Sequence, residues 1–357
     1  MKRQRWIWAA GLLTLGIMLG CEVEPEDNSD EAHAYEWATS TPAEQGLNAQ
    51  RLNSIEGAAK DTRYVDSFLI IRHGLLVWES YFMDMRETTQ HPLQSVTKSI
   101  LGALIGMAID NGLIDNLDQK VMTFFPEYQA RTTDSRWEDV TIQHLLDMTA
   151  GVITGKGSDQ GDAILNIVRL PLLCDPGTEF NYSDLGAHLL SILLTKLNNG
   201  RTAATYARLS FCPTLGIEIP TWYQDDYGYS GGGAGIEMTP RDMARIGYLY
   251  LLGGSIDGTQ IFSEAWADEV VNMPVGEGSW GELTEVAYHN LWWSGKIGEE
   301  KAFLAIGYGG QMIIGFPELD MLVVATCEIP DKEDESETHY AKIFQLIQQY
   351  VLPAVID

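Results

Sequence analysis

An α+β fold, with one sheet assembled from both ends of the chain around an inserted, mainly helical block, is what this sequence predicts. Three observations carry the expectation. Short apolar runs bounded by turn residues occur at 67–72 and 75–82, and again between about 288 and 327. From about 95 to 273 the apolar residues recur at helical spacing instead. The 357 residues are 45% hydrophobic and include 10 Trp, 15 Tyr and 10 Phe, which suffices for a large core and excludes disorder for most of the chain. Strands at both ends with helices between them fit a discontinuous sheet domain.

The first elements are of a different kind. Lys2, Arg3 and Arg5 precede an apolar stretch over 6–20, too short for a mature membrane span but suited to a cleaved export signal. Gly20-Cys21 closes it in the manner of a bacterial lipobox, with Met18 where Leu is usual. The expectation is a lipoprotein signal peptide over 1–20, lipid on Cys21 as membrane anchor, and an acidic disordered tether over 21–40. Such a protein is exported and faces the periplasm or the cell surface. The formal net charge of −27 repels nucleic acid, so no nucleic-acid partner is expected.

The folded domain is expected over 41–357, its sheet part at about 41–92 and 285–357 and its helical part at about 93–284. A helix reads over 48–60, then a hairpin turning at His73-Gly74. Helices follow from Ser95, over 141–148, over 184–197, and over 239–252, where Thr239, Pro240 and Asp242 make a capped start. Strands at 303–306, 311–315 and 321–327 and a helix at 338–352 end the chain. With Cys21 lipidated, Cys174, Cys212 and Cys327 remain. A Cys174–Cys212 disulfide is left open, and their spacing fits no metal site.

Three signals carry chemistry. Ser95-Val96-Thr97-Lys98 is the chain's single Ser-x-x-Lys and opens a strongly apolar helix. Positions three apart share a helical face, so the Lys98 amine reaches the Ser95 hydroxyl. The Ser95 N–H, at a helix start, is free to donate to a developing oxyanion. Tyr182, in Asn181-Tyr182-Ser183-Asp184, lies on a loop before a helix and is placed to relay a proton, while Asp184 reads as a cap. Gly307-Tyr308-Gly309-Gly310-Gln311 leads into a strand, and paired glycines there allow a ligand or another backbone to come close.

In this order the three signals resemble the serine β-lactamase/penicillin-binding-protein superfamily, and within it the class C-related esterases and 6-aminohexanoate-dimer hydrolases. Leu145-Leu146-Asp147-Met148-Thr149-Ala150-Gly151, Gly231-Gly232-Gly233 with the 238–245 stretch, and Leu291-Trp292-Trp293 resemble further stretches of that branch. The resemblance implies a β-lactamase/transpeptidase-like fold, an antiparallel sheet flanked by helices. It implies Ser95 as acylated nucleophile, Lys98 and Tyr182 as general bases and acids, oxyanion donors from the backbone of Ser95 and Gln311, and no cofactor or metal.

Two departures shape the substrate. Related β-lactamases carry Lys-Thr-Gly on the edge strand, where here Tyr308-Gly309-Gly310 stands. The second motif ends in Asp184 rather than Asn. Both disfavour a carboxylate-bearing β-lactam, so a small-molecule carboxylic ester or small amide is the expected substrate. Asp184, Tyr308, Gly309, Gly310 and Trp292 are candidates for its site, with Tyr223, Tyr227, Tyr229 and Trp280 as further aromatics of the cleft. The rival readings are a D-Ala carboxypeptidase or weak β-lactamase, and a non-catalytic binding lipoprotein of the same fold.

Overall fold

A computed structural model of the protein describes residues 35–155, 157 and 160–356. The expected signal peptide over 1–20, the expected lipid site Cys21 and the expected tether as far as 34 lie outside the described residues.

Thirteen strands are present among the described residues: β1 Val65–Arg72, β2 Leu75–Tyr81, β3 His91–Pro92, β4 Thr221–Trp222, β5 Ile236–Met238, β6 Ser255–Ile256, β7 Thr259–Gln260, β8 Gly278–Trp280, β9 Leu283–His289, β10 Trp292–Ile297, β11 Glu300–Gly307, β12 Gln311–Phe316 and β13 Met321–Cys327. Eight form one antiparallel sheet in the order β2-β1-β13-β12-β11-β10-β9-β8. The β1–β13 ladder, from Val65↔Cys327 to Arg72↔Met321, ties the two ends of the chain together. His73 (φ 51°) and Gly74 (φ 76°) turn the first hairpin with two left-handed residues, as a tight two-residue connection requires.

The central strands β1, β12 and β13 are buried at every position because both sheet faces are covered. Side chains alternate, so Phe68, Ile70, Ile314 and Val323 enter one core while Leu69, Ile71, Ile313 and Leu322 enter the other. The first core is closed by α1 (Ala49–Lys60) and the C-terminal helix. The second is closed by the helical block: α2 (Val96–Asp110), α3 (Ile142–Leu146), α4 (Asp184–Leu197), α5 (Pro240–Leu251) and α6 (Glu264–Val271). The C-terminal helix, α7, spans Glu333–Leu346 and continues through a wider turn to Val351, starting five residues earlier than expected.

Other boundaries are corrected as well. Residues 35–40 are not tether. The Tyr35 N–H donates to the Gly216 carbonyl, Trp37 is 7% exposed with its indole N–H on the Arg241 carbonyl, and Thr39 bridges to Leu76. Two aromatics at the end of an acidic stretch are enough to dock it. The sheet resumes at Gly278 rather than 285, and the helical part contains a small sheet, β3-β5-β4. Cys174 and Cys212 are free thiols, so the disulfide left open above is not formed.

One buried pair sets a test of pH dependence. Asp66 on β1 and His91 on β3 are 4% and 3% exposed, their Oδ2 and Nδ1 3.6 Å apart. Burial first, and the Glu328 charge second, push the Asp66 carboxyl up to about 6 from 3.8. Burial pushes His91 down to about 4 from 6.5. Between pH 3.8 and 6 the folded state holds the Asp66 proton more tightly, so this term lowers stability as pH rises. Between pH 4 and 6.5 the folded state holds fewer protons on His91, so that term raises stability. The two oppose each other. Asp66→Asn is expected to uncover the histidine's rise, and His91→Gln the aspartate's fall, each on the order of 2 kcal/mol. Urea denaturation of both variants and the parent at pH 4 and pH 7 checks this; differences from the parent that do not change with pH would refute it.

Candidate active site

The centre of the site is the start of α2. Val96 to Ala108 are all buried, so this helix, apolar beyond its first turn, is covered on every side. Before it, Gln94 adopts φ 50°, an unfavourable region for a side-chain-bearing residue, and turns the chain so that Ser95 sits half-exposed at the helix start. The first-turn N–H groups of Val96, Thr97 and Lys98 are used by Leu93, Gln94 and Ser95 carbonyls. The Ser95 N–H donates to no group among the described residues and is available to an incoming oxygen.

Lys98 is 1% exposed and carries a full set of acceptors. Its Nζ lies 2.8 Å from Ser95 Oγ, 2.5 Å from Asp184 Oδ1 and 2.7 Å from the Gly233 carbonyl oxygen. Three acceptors, one of them a carboxylate, match the three protons of an ammonium. The Tyr182 ring lies under the same nitrogen, 4.7 Å from it to the centroid. Asp184 is the first residue of α4, but its side chain does not cap that helix. Ser183 does, its Oγ accepting from the Gly186 N–H at 3.0 Å, which leaves the Asp184 carboxylate for Lys98. The cap expected of Asp184 is thereby reassigned, and its charge faces the site.

These groups open onto a cavity of about 590 Å³. Ser95, Tyr182, Asp184, Ile306 and Tyr308 line it, together with Trp280 and Trp293 and one face of α7, Glu333, Ser336, Glu337 and Tyr340. Beyond Trp280 and Trp293, a second cavity of about 570 Å³ is walled by Phe180, Val286 and Tyr288. The aromatics brace one another. Tyr182 stacks on Trp293 (centroids 5.8 Å apart, planes at 22°), and Tyr288 meets Trp293 edge-on at 4.6 Å.

Several expectations are corrected. Gln311 does not reach the cavity: its backbone pairs with Gly307 across the β11–β12 hairpin, and its side chain donates to the Cys327 carbonyl at 2.6 Å. From this hairpin Ile306 and Tyr308 line the cavity instead, where β11 runs past its pairing with β10. Gly309 and Gly310 turn the other way: the Gly309 N–H donates to Ser336 Oγ, its carbonyl accepts from His339, and Gly310 packs on Cys327. Trp292 is wholly buried against Tyr250 and Phe303; its neighbour Trp293 takes the role assigned to it. Tyr223, Tyr227 and Tyr229 lie off the lining, while Trp280 is on it. The face of α7 was missed, although Glu333, Ser336, Glu337 and Tyr340 follow helical spacing and carry the signal.

Chemically, the arrangement can hold a serine oxygen beside a cation, with a phenol adjacent and a free backbone donor at a helix start. The chain also has similar proteins among known sequences and structures. A family profile for Beta-lactamase matches residues 49–346. The chain is 26% identical over 327 residues to the 6-aminohexanoate-dimer hydrolase of Paenarthrobacter ureafaciens, covering 82% of this chain and 81% of that protein. It is 28% identical over 165 residues to esterase EstB of Burkholderia gladioli, covering 38% of this chain and 42% of the esterase. Its fold is similar to that of EstCE1, a hydrolase with promiscuous acyltransferase activity, with a TM-score of 0.69 at 18% identity, covering 84% of this chain and 99% of that one.

Proposed function

This chain belongs to the β-lactamase family, and we propose that within it the protein is a serine hydrolase of carboxylic esters or small amides that works through an acyl-enzyme on Ser95. The observation that carries the reading is the contact of Ser95 Oγ with Lys98 Nζ at the wall of an open cavity. The Lys98 charge favours a serine oxygen that is losing its proton. Tyr182, the other proton-handling group beside Nζ, takes that proton and delivers it to the leaving alcohol or amine. The Ser95 Oγ–acyl bond forms as the ester or amide bond breaks. Water then adds to the acyl carbon, its proton returns to Ser95 through the same groups, and the acid leaves. The Ser95 N–H, with backbone from the Ile306–Tyr308 edge, faces the oxyanion.

Asp184 bears on the substrate. Its carboxylate lines the cavity and is 64% exposed at the side chain, so it disfavours an incoming carboxylate. The purified full-length protein is expected to be labelled at Ser95 by a fluorophosphonate, to turn over p-nitrophenyl esters, and to leave nitrocefin essentially intact. Neither labelling nor turnover would replace the hydrolase with a binding protein. Nitrocefin turnover matching the esters would refute the exclusion of carboxylate-bearing β-lactams.

A further inference from the structure

The walls of the Ser95 cavity carry charge of one sign. Three carboxylates line it, Asp184, Glu333 and Glu337, and none of its lining residues is a lysine, arginine or histidine. Asp184 is matched by the Lys98 ammonium just behind the wall. Glu333 and Glu337 are different: they are exposed, and neither has a cationic partner among the described residues. They stand one turn apart on α7, on the face that also presents Tyr340. Beside them the Tyr340 ring meets Trp280 edge-on at 4.7 Å, making a fixed aromatic corner. The Tyr308 phenol, on the same cavity, is pushed up by burial first and then by the charges of Glu333, Glu335, Asp331 and Asp334.

A cavity with unpaired carboxylates beside a rigid aromatic corner has the composition of a cation site. Aromatic faces attract ammonium groups, and carboxylates with no internal partner give up less on meeting one. A substrate anion would meet two carboxylates without a cationic side-chain partner in the cavity that holds the nucleophile. The net charge of −27 adds a long-range pull of the same sign.

Resting on the hydrolase reading above, we propose that the ester or amide cleaved at Ser95 carries a cationic group, an ammonium or quaternary ammonium. That group sits at the Glu333/Glu337 end of the cavity against the Trp280–Tyr340 corner. The second cavity, beyond Trp280 and Trp293, takes the apolar portion of the same molecule.

The test uses the full-length protein and three p-nitrophenyl esters of similar size. They are those of trimethylammoniobutyrate (cationic), its dimethylhexanoate isostere (neutral) and glutarate (anionic). The expected order of kcat/KM is cationic over neutral over anionic, with roughly a tenfold step at low salt between the first two. The cationic-to-neutral ratio is expected to fall toward one in Glu333→Gln/Glu337→Gln and with added salt. It is expected to persist in Glu56→Gln/Glu299→Gln, which removes the same net charge at exposed positions away from the cavity. Because the readout is a ratio within one variant, partial misfolding does not mimic it. Labelling at Ser95 with equal or reversed ratios overturns this inference alone. A cation preference that survives Glu333→Gln/Glu337→Gln shows that the overall charge selects, and overturns the site. Absence of labelling and of all turnover overturns the hydrolase reading, and this inference with it.

Discussion

Ser95→Ala is expected to remove ester turnover by roughly 10⁴- to 10⁶-fold and to abolish fluorophosphonate labelling. Its unfolding free energy should stay within about 1 kcal/mol of the parent. The asymmetry follows from what the hydroxyl touches. Only the Lys98 ammonium is bound to it among the described residues, and Lys98 retains Asp184 at 2.5 Å and the Gly233 carbonyl at 2.7 Å once the oxygen is gone. A buried cation with two good acceptors left, one of them charged, does not become an orphan. Ser95 is also half-exposed, so its oxygen fills no space in the core and its loss leaves no cavity. Turnover by the alanine variant at the parent's rate would remove Ser95 from the mechanism. A variant that fails to fold would mean that the hydroxyl holds the start of α2 in place, and labelling of the folded parent would then decide the chemical role.

The parts of this site legible in the sequence are those fixed by local geometry. Ser95 and Lys98 are three apart on one helix, and a spacing of three brings side chains together whatever the rest of the chain does. Tyr182 and Asp184 could be read because a turn and a capped helix bracket them. Tertiary register decided what was misread. Trp292 and Trp293 are adjacent on β10 and point to opposite faces, and only the pairing of β10 with β9 and β11 settles which one sees the cavity. The same holds for Gln311: the hairpin pairs it with Gly307, and the residues that line the cavity are Ile306 and Tyr308 before and in the turn. The third acceptor of Lys98 is the Gly233 carbonyl, a main-chain group that no side-chain motif encodes. The fold itself was easier, because apolar runs at both ends of a chain have few partners but each other.

Gly232→Ala is expected to cost about 3 kcal/mol of stability and to lower ester turnover by more than tenfold. A Cβ at this position would stand 2.2 Å from the Ala187 carbonyl oxygen and 2.6 Å from the Ala187 carbonyl carbon and His188 Cα. All three are backbone atoms of α4, the helix that begins at Asp184, so the clash cannot be relieved by turning a side chain. Either α4 or the Gly231–Gly233 segment has to move. Gly231 is held from the other side by the Trp222 indole N–H on its carbonyl at 2.8 Å, and the Gly232 N–H donates to His188 at 3.3 Å. Both possible movements therefore pull an acceptor off Lys98, either the Gly233 carbonyl or the Asp184 carboxylate. Gly57→Ala is the matched control. It lies mid-helix in α1 with nothing within 4 Å of the added carbon, and should stabilise by about 0.5–1 kcal/mol without touching turnover. Urea denaturation and kcat/KM of both variants separate the alternatives. If Gly232→Ala loses stability but keeps parental kcat/KM, the glycine packs the helical block and plays no part in holding Lys98. A loss of both, with Gly57→Ala moving in the opposite direction, ties the close approach of this segment to the geometry at Ser95.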